Sequence, residues 1–244
     1  MGRRYYLVTA EHAGNMIPEN FAQFFRGQVC RQRLLSHEGW DPGSAEVASV
    51  ISEKLKAPLI SQPVSRLLIE MNRSLGNPEL FSAISREFCP KLKTELIEKY
   101  YRPYREKVIA HIENGLRSND QVIHLSIHTF AEIWNGAKRK TDIGLLFDPE
   151  RPSEKALCSS LIKSMESTLP QMFIEFNKPY LGIDDGLTTY LRTVYPDSHY
   201  AGIEIEINQK FVDTRELILI SDYICAGLLK EENEDKNDPI VKHT

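Results

Sequence analysis

Val122-Ile123-His124-Leu125-Ser126-Ile127-His128 is an apolar run interrupted at every second position by a polar side chain. Its Val, Ile and Leu content reads as a buried strand. Side chains on a strand alternate between faces, so His124, Ser126 and His128 share one face. Two other stretches have the same character. Tyr5-Tyr6-Leu7-Val8-Thr9-Ala10 leads to His12, and Ala201-Gly202-Ile203-Glu204-Ile205-Glu206 places Glu204 and Glu206 on one strand face.

Between these runs the pattern alternates. Val47, Val50, Ile51 and Leu55 mark a helix from about Ser44 to Lys56, after an irregular stretch from Asn15 to Asp41. Pro58 to Ser61 and Arg66 to Met71 read as short strands, and Asn72-Arg73-Ser74 opens a loop. Leu92, Leu96, Tyr100, Tyr104, Val108, Ile112 and Leu116 recur every four residues and predict a long helix. Pro103 inside it predicts a kink or a restart. Asp142 to Phe147 and Met172 to Phe176 read as strands, the second at an edge. Leu157, Leu161 and Met165 mark one helix, and Leu187, Tyr190, Leu191 and Val194 a shorter one. A last helix starts near Asp213, with Glu216 as a capping partner. The expected architecture is α/β: a single domain over residues 1–230, with a largely parallel or mixed sheet between helices. A charged, frayed tail follows from Glu231 to Thr244.

Bulk properties exclude several classes. A net charge of −4 offers no electrostatic footprint for nucleic acid. No apolar run reaches the roughly 18 residues of a membrane span. Gly2-Arg3-Arg4 passes straight into strand-like residues without the apolar segment of an export signal. Cys30, Cys89, Cys158 and Cys225 are scattered, which argues against a cysteine zinc site or a disulfide framework. A cytoplasmic location is the expectation.

In open α/β sheets, ligands bind beyond the carboxyl ends of the strands. Two imidazoles and a carboxylate at such ends are the components of a zinc hydrolase, two metal ligands and a general base. His12 precedes Ala13-Gly14, small residues that let a backbone approach a ligand; otherwise it is a loop histidine. His128, last on its strand, is the better ligand candidate, whereas His124 lies deeper and reads as a hydrogen-bonded core residue. Glu206 is nearer its strand end than Glu204 and is the candidate base. Glu204 is either its orienting partner or an edge residue. A carboxylate on an apolar strand is costly to bury unless paired, metal-bound or solvated. Asp41, before Pro42-Gly43, is either a turn and cap residue or the third ligand, with His37, Glu38 and Glu46 as competing suppliers. Arg66, Asn72 and Arg73 are either a surface ion-pair cluster or the clamp for an anionic substrate.

No H-E-x-x-H, P-loop, G-x-G-x-x-G or G-x-S-x-G occurs. The specificity lies in an ordered set: AEHAGNMIP around His12, HEGWDPGSAEVA around Asp41, SRLLIEMNRS from Ser65, YYRPYREKV from Tyr100, HLSIHTF around His128, DIGLLFDPER from Asp142, NKPYLGIDDGLTTYLR from Asn177 and GIEIEINQ from Gly202. In this order the segments resemble the N-formylglutamate amidohydrolase family over residues 6 to 230. The resemblance implies a fold of the zinc-exopeptidase type and one zinc ion per chain near His12 and His128, with Asp41 as the remaining ligand. It implies Glu206 as general base and Asn72 and Arg73 as binders of a substrate carboxylate. It also implies a small anionic N-acyl amino acid as substrate, N-formyl-L-glutamate first. The position three residues after the first histidine, Glu in carboxypeptidases, is Asn15 here, and the common D-L-N-R reads Glu70-Met71-Asn72-Arg73. Another deacylase or cell-wall amidase of the same group, and a non-catalytic binding protein on the same fold, are the alternatives.

Overall fold

Eight strands and seven α-helices alternate along residues 3–237, the part described by the computed structural model; no side chain is described from residue 231 on. The strands are β1 (Arg4–Ala10), β2 (Leu59–Ser61), β3 (Gln121–Phe130), β4 (Ile133–Trp134), β5 (Ala137–Lys138), β6 (Ile143–Leu146), β7 (Ile174–Phe176) and β8 (Tyr200–Asn208). The helices are α1 (Gln28–Leu35), α2 (Ser44–Leu55), α3 (Pro90–Leu96), α4 (Arg102–Leu116), α5 (Pro152–Thr168), α6 (Leu187–Val194) and α7 (Arg215–Asn237). Residues 238–244, the end of the expected charged tail, lie outside the described residues.

Six strands form one mixed sheet in the order β2-β1-β3-β8-β6-β7. Every neighbouring pair is parallel except β6 with β8. The alternation along each strand divides the core in two. Tyr6, Val8 and Ala10, then Ile123, Leu125 and Ile127, then Ala201, Ile203, Ile205 and Ile207 face α2, α5 and α7. On the other face Leu7, Val122 and Tyr200 pack against α3, α4, α6 and the segment after β2. This second face is apolar at one end of the strands and polar at the other. Register pairs His124 with Gly202, Ser126 with Glu204 and His128 with Glu206. The polar residues therefore stack in rows toward the carboxyl ends of β3 and β8, where the fold class places ligands.

Three local expectations change. Arg66 to Met71 forms turns: the Arg66 amide donates to the Gly39 carbonyl, Leu68 to Ser65 and Glu70 to Leu80. Leu67, Leu68, Ile69 and Met71 are buried all the same, so their apolar run reflects burial in the second core rather than a strand. The stretch from Asn15 to Asp41 contains a 3-10 turn, Glu19–Phe25, and α1, which buries no residue and therefore lacks a periodic signal. Asp213 adopts φ 62° ahead of the last helix and is not its cap. The long helix is perturbed where expected: a π-turn over Ile97–Tyr101 joins α3 to α4 without a break, and Pro103 follows it in the next turn.

Candidate metal centre and active site

His12 follows β1, Asp41 precedes α2, and His128 lies near the end of β3. Their side chains converge. The Nδ1 atoms of His12 and His128 lie 3.1 and 3.0 Å from the same Asp41 oxygen, Oδ2. The three residues are buried, and each offers a ligand atom within 4.8 Å of the others. Local backbone bonds hold Asp41 there: its amide donates to the His12 carbonyl at 3.0 Å, and its carbonyl accepts from Ser44 at the start of α2. His37 and Glu38 line only the surrounding cleft, and Glu46 is exposed on α2.

The far nitrogens of both rings meet buried carboxylates. His12 Nε2 pairs with Glu70 in a very short contact, and His128 Nε2 lies 3.2 Å from Glu11. Glu11 accepts from Ser126 at 2.7 Å and from Tyr104 at 2.9 Å. A carboxylate behind a ligating imidazole fixes its tautomer and raises its basicity. Here it leaves both Nδ1 atoms turned inward, beside Asp41. Burial works against charge on Glu11, Asp41 and Glu70, but the imidazoles, with Arg66 beside Asp41 and Glu70, hold all three well below the usual carboxylate range. Burial likewise opposes protonation of His12 and His128, yet these carboxylates raise both. Three ionised carboxylates against one guanidinium leave two buried negative charges when the imidazoles are neutral. A divalent cation held by His12, Asp41 and His128 would balance them, and two imidazoles with one carboxylate are a donor set that zinc accepts.

Glu206 stands on β8 opposite His128. It is buried, and its Oε2 has no hydrogen-bond partner among the described residues. Burial, with Asp41 and Glu204 adding to it, raises its pKa to about 7 against the opposing pull of His128. Glu204 accepts a hydrogen bond from Thr188 at 2.5 Å and lines the same cleft. His124 is a core residue, bonded to Thr9 and to Tyr200 at 2.8 Å each.

The cleft is about 420 Å³ in volume and contains His12, Asp41, His128 and Glu206. Arg66, Asn72 and Arg73 line it from the segment after β2. Asn72 Oδ1 accepts from the Leu187 amide at 2.7 Å, which anchors the side chain at the start of α6. Arg73 donates to the Asp185 carbonyl at 2.7 Å. Arg66 is more committed than its sequence context implies: it bonds Glu70 through Nε at 2.7 Å and Asp41 through a terminal nitrogen at 3.3 Å.

A model of the N-formylglutamate amidohydrolase family matches residues 5–212. The chain belongs to that family. Among proteins of curated function none matches. Of solved structures, gene product Atu2144 from Agrobacterium tumefaciens superposes with a TM-score of 0.81 at 24% identity, covering 95% of this chain and 92% of that one. The N-formylglutamate amidohydrolase from Ralstonia eutropha JMP134 superposes at 0.69 with 15% identity, covering 95% and 93%. These likenesses show a shared fold.

In this member of the N-formylglutamate amidohydrolase family, the residues singled out in the sequence for metal, base and substrate all reach one cleft. Sequence reasoning passed over Glu11 and missed what Glu70 does. The signal for Glu11 was present: an acid directly after an apolar strand, in phase with Leu7 and Thr9 and so on the face of Ser126 and His128.

Proposed function

We propose that the chain is a zinc-dependent amidohydrolase that cleaves the amide bond of a small anionic N-acyl amino acid. The observation that carries this is the convergence of His12 Nδ1, His128 Nδ1 and Asp41 Oδ2, with the unpartnered Glu206 oxygen in the same cleft. His12, Asp41 and His128 would hold one zinc ion, which when bound polarises the amide carbonyl and acidifies water.

The remaining work falls to this chain's own side chains. Glu206 takes the proton of the attacking water at Oε2, and delivers it to the departing nitrogen. Burial raises its pKa above the ordinary carboxylate value, which suits a group that must both accept and release a proton. Glu11 and Glu70 keep the imidazoles oriented. Asn72 and Arg73, with Arg66 beside them, hold the substrate carboxylate so that the amide lies over the metal site. The family name puts N-formyl-L-glutamate first among compounds to try.

The test is elemental analysis of protein purified without chelator, beside a His12→Ala/His128→Ala variant. About one zinc per chain, lost in the variant, together with turnover of an N-acyl amino acid, is the expected result. A protein that takes up no zinc when it is supplied, and hydrolyses none of these compounds, would leave a ligand-binding role on the same fold as the better reading.

A further inference from the structure

The segment YYRPYREKV, from Tyr100 to Val108, belongs to the ordered set that resembles the family, yet none of its side chains lines the cleft. It reaches the site from behind. Tyr104 donates to Glu11, which backs His128. Tyr101, at the end of the π-turn, and Arg105, in the first turn of α4, are four residues apart and share a face. Both donate to one atom, the Arg73 carbonyl oxygen, at 2.7 and 2.8 Å. The same Arg105 nitrogen also reaches the Met71 carbonyl at 3.2 Å. One guanidinium therefore holds the main chain on both sides of Asn72.

Arg105 is buried, and among the described residues no carboxylate lies within ion-pair distance of it and its Nε has no hydrogen-bond partner. A guanidinium buried without an acid is costly, so an ion pair does not account for its place. Its surroundings are the two carbonyls and the rings of Tyr101 and Tyr190, whose centres lie 4.9 and 5.3 Å from it. Tyr190 is on α6, whose first residue, Leu187, donates its amide to Asn72 Oδ1. That bond occupies the acceptor of the Asn72 side chain and leaves its NH2 group as a donor. Arg73 commits Nη1 to the Asn72 and Asp185 carbonyls, which leaves Nη2 for a ligand. Both donors offered to a substrate carboxylate thus depend on where the 71–73 main chain sits. We infer that Arg105 is a positioning residue: with Tyr101 it sets the placement of Asn72 and Arg73, and through them the affinity for the substrate carboxylate. This rests on the amide-hydrolase reading above. The charge of Arg105, unneutralised by any acid, adds to that of Arg66 and Arg73 in favouring an anion. No bond is made or broken at Arg105 itself.

The zinc-loaded full chain and its Arg105→Met, Arg105→Lys and Tyr101→Phe variants are assayed with N-formyl-L-glutamate. Glutarate, which carries two carboxylates with neither amide nor amine, is titrated into each by calorimetry to read the clamp without the chemistry. Arg105→Met should raise KM by at least about tenfold, as misplacing a positioning group does. Tyr101→Phe should raise it by about fivefold, the worth of one hydrogen bond. Glutarate should weaken in parallel, while kcat stays within about threefold, because the loss is of binding shared by ground and transition states. Arg105→Lys should recover part of the KM. A purely structural Arg105 would lower the melting temperature and leave KM and glutarate affinity at the parent's values; that outcome, or a fall in kcat alone, overturns the inference. Should Arg105→Met not fold, Tyr101→Phe, which removes one hydroxyl, decides by the same split. If zinc binds and the parent hydrolyses no N-acyl amino acid, the hydrolase reading is what fails, and glutarate decides: weaker binding in the variants sustains the positioning role and equal binding overturns it. A parent that neither hydrolyses these compounds nor binds glutarate has no carboxylate clamp, and both readings fall.

Discussion

Glu206 and Glu11 show how one residue type does two kinds of work. Both are buried glutamates near His128, but Glu11 is surrounded by donors whereas Glu206 Oε2 has none. Glu11 is therefore held ionised and Glu206 is pushed up to about 7. Replacing Glu206 by Gln should leave zinc content intact and lower kcat by about 10²–10⁴-fold; near-full activity would rule it out as the base. Glu11→Gln keeps the shape but removes the charge behind His128, so zinc affinity should fall about 10–100-fold. A competition titration against a chelator reads this directly, and an unchanged affinity would mean that Glu11 serves packing alone. His124 illustrates the opposite case. Burial lowers its pKa from 6.5 to about 4, so as pH falls the unfolded chain takes up its proton first. The resulting stability is full above the unfolded value and drains away toward the folded one, by about 2 kcal/mol between pH 7 and 5. His12, His128 and Glu206, all raised, gain stability over the same interval, so the His124 loss is read as the difference between parent and His124→Gln in denaturant melts of metal-free protein at the two pH values; the same pH dependence in both would sink it.

At the scale of elements, β8 and β6 bring the loop after β7 against the site. Gly144 pairs with Glu206 across the antiparallel ladder, and a Cβ at Gly144 would lie 1.8 Å from the Lys178 carbonyl oxygen and 3.3 Å from Glu206 Cβ. Only glycine allows that approach. Gly144→Ala should destabilise the protein by about 1–3 kcal/mol or more, as overpacking does. It should also lower kcat/KM by displacing the loop from Glu206; a melting curve and rate equal to the parent's would show that the loop yields freely. The strands that carry chemistry were legible because their apolar runs break at every second residue, as His124-Leu125-Ser126-Ile127-His128 does. The segment after β2 was not. Leu67, Leu68 and Ile69 are as buried as any strand, but the backbone bonds of this segment run from Arg66, Leu68 and Glu70 to Gly39, Ser65 and Leu80, and hydropathy cannot tell burial in turns from burial in a sheet. Glu70 shares that difficulty: its pairing with His12 across 58 residues depends on the turn that carries it.

Taken as a whole, the molecule gathers Glu11, Asp41, Glu70 and Glu206, four of the six buried carboxylates among the described residues, at one site. Long-range pairing brings β1, β3 and β8 side by side. A sequence can supply His12, Asp41 and His128 as candidates, but only the parallel register shows that their inner nitrogens meet one carboxylate oxygen. That concentration has a thermodynamic consequence. Without a metal, the two negative charges left by Glu11, Asp41 and Glu70 against Arg66 must be balanced by protonating His12 and His128, which burial opposes. Zinc held by the folded arrangement and not by the dispersed ligands of the unfolded chain would add about 2.7 kcal/mol at a free concentration a hundred times its dissociation constant. For a chain of this size that corresponds to roughly 5–10 °C in Tm. Scanning calorimetry with zinc and after chelation should show a drop of that order at pH 7. The drop should narrow on acidification, because protons then compete for the Nδ1 atoms that hold the metal. A Tm indifferent to chelation in protein shown to carry zinc would place the ion elsewhere than between β1 and β3.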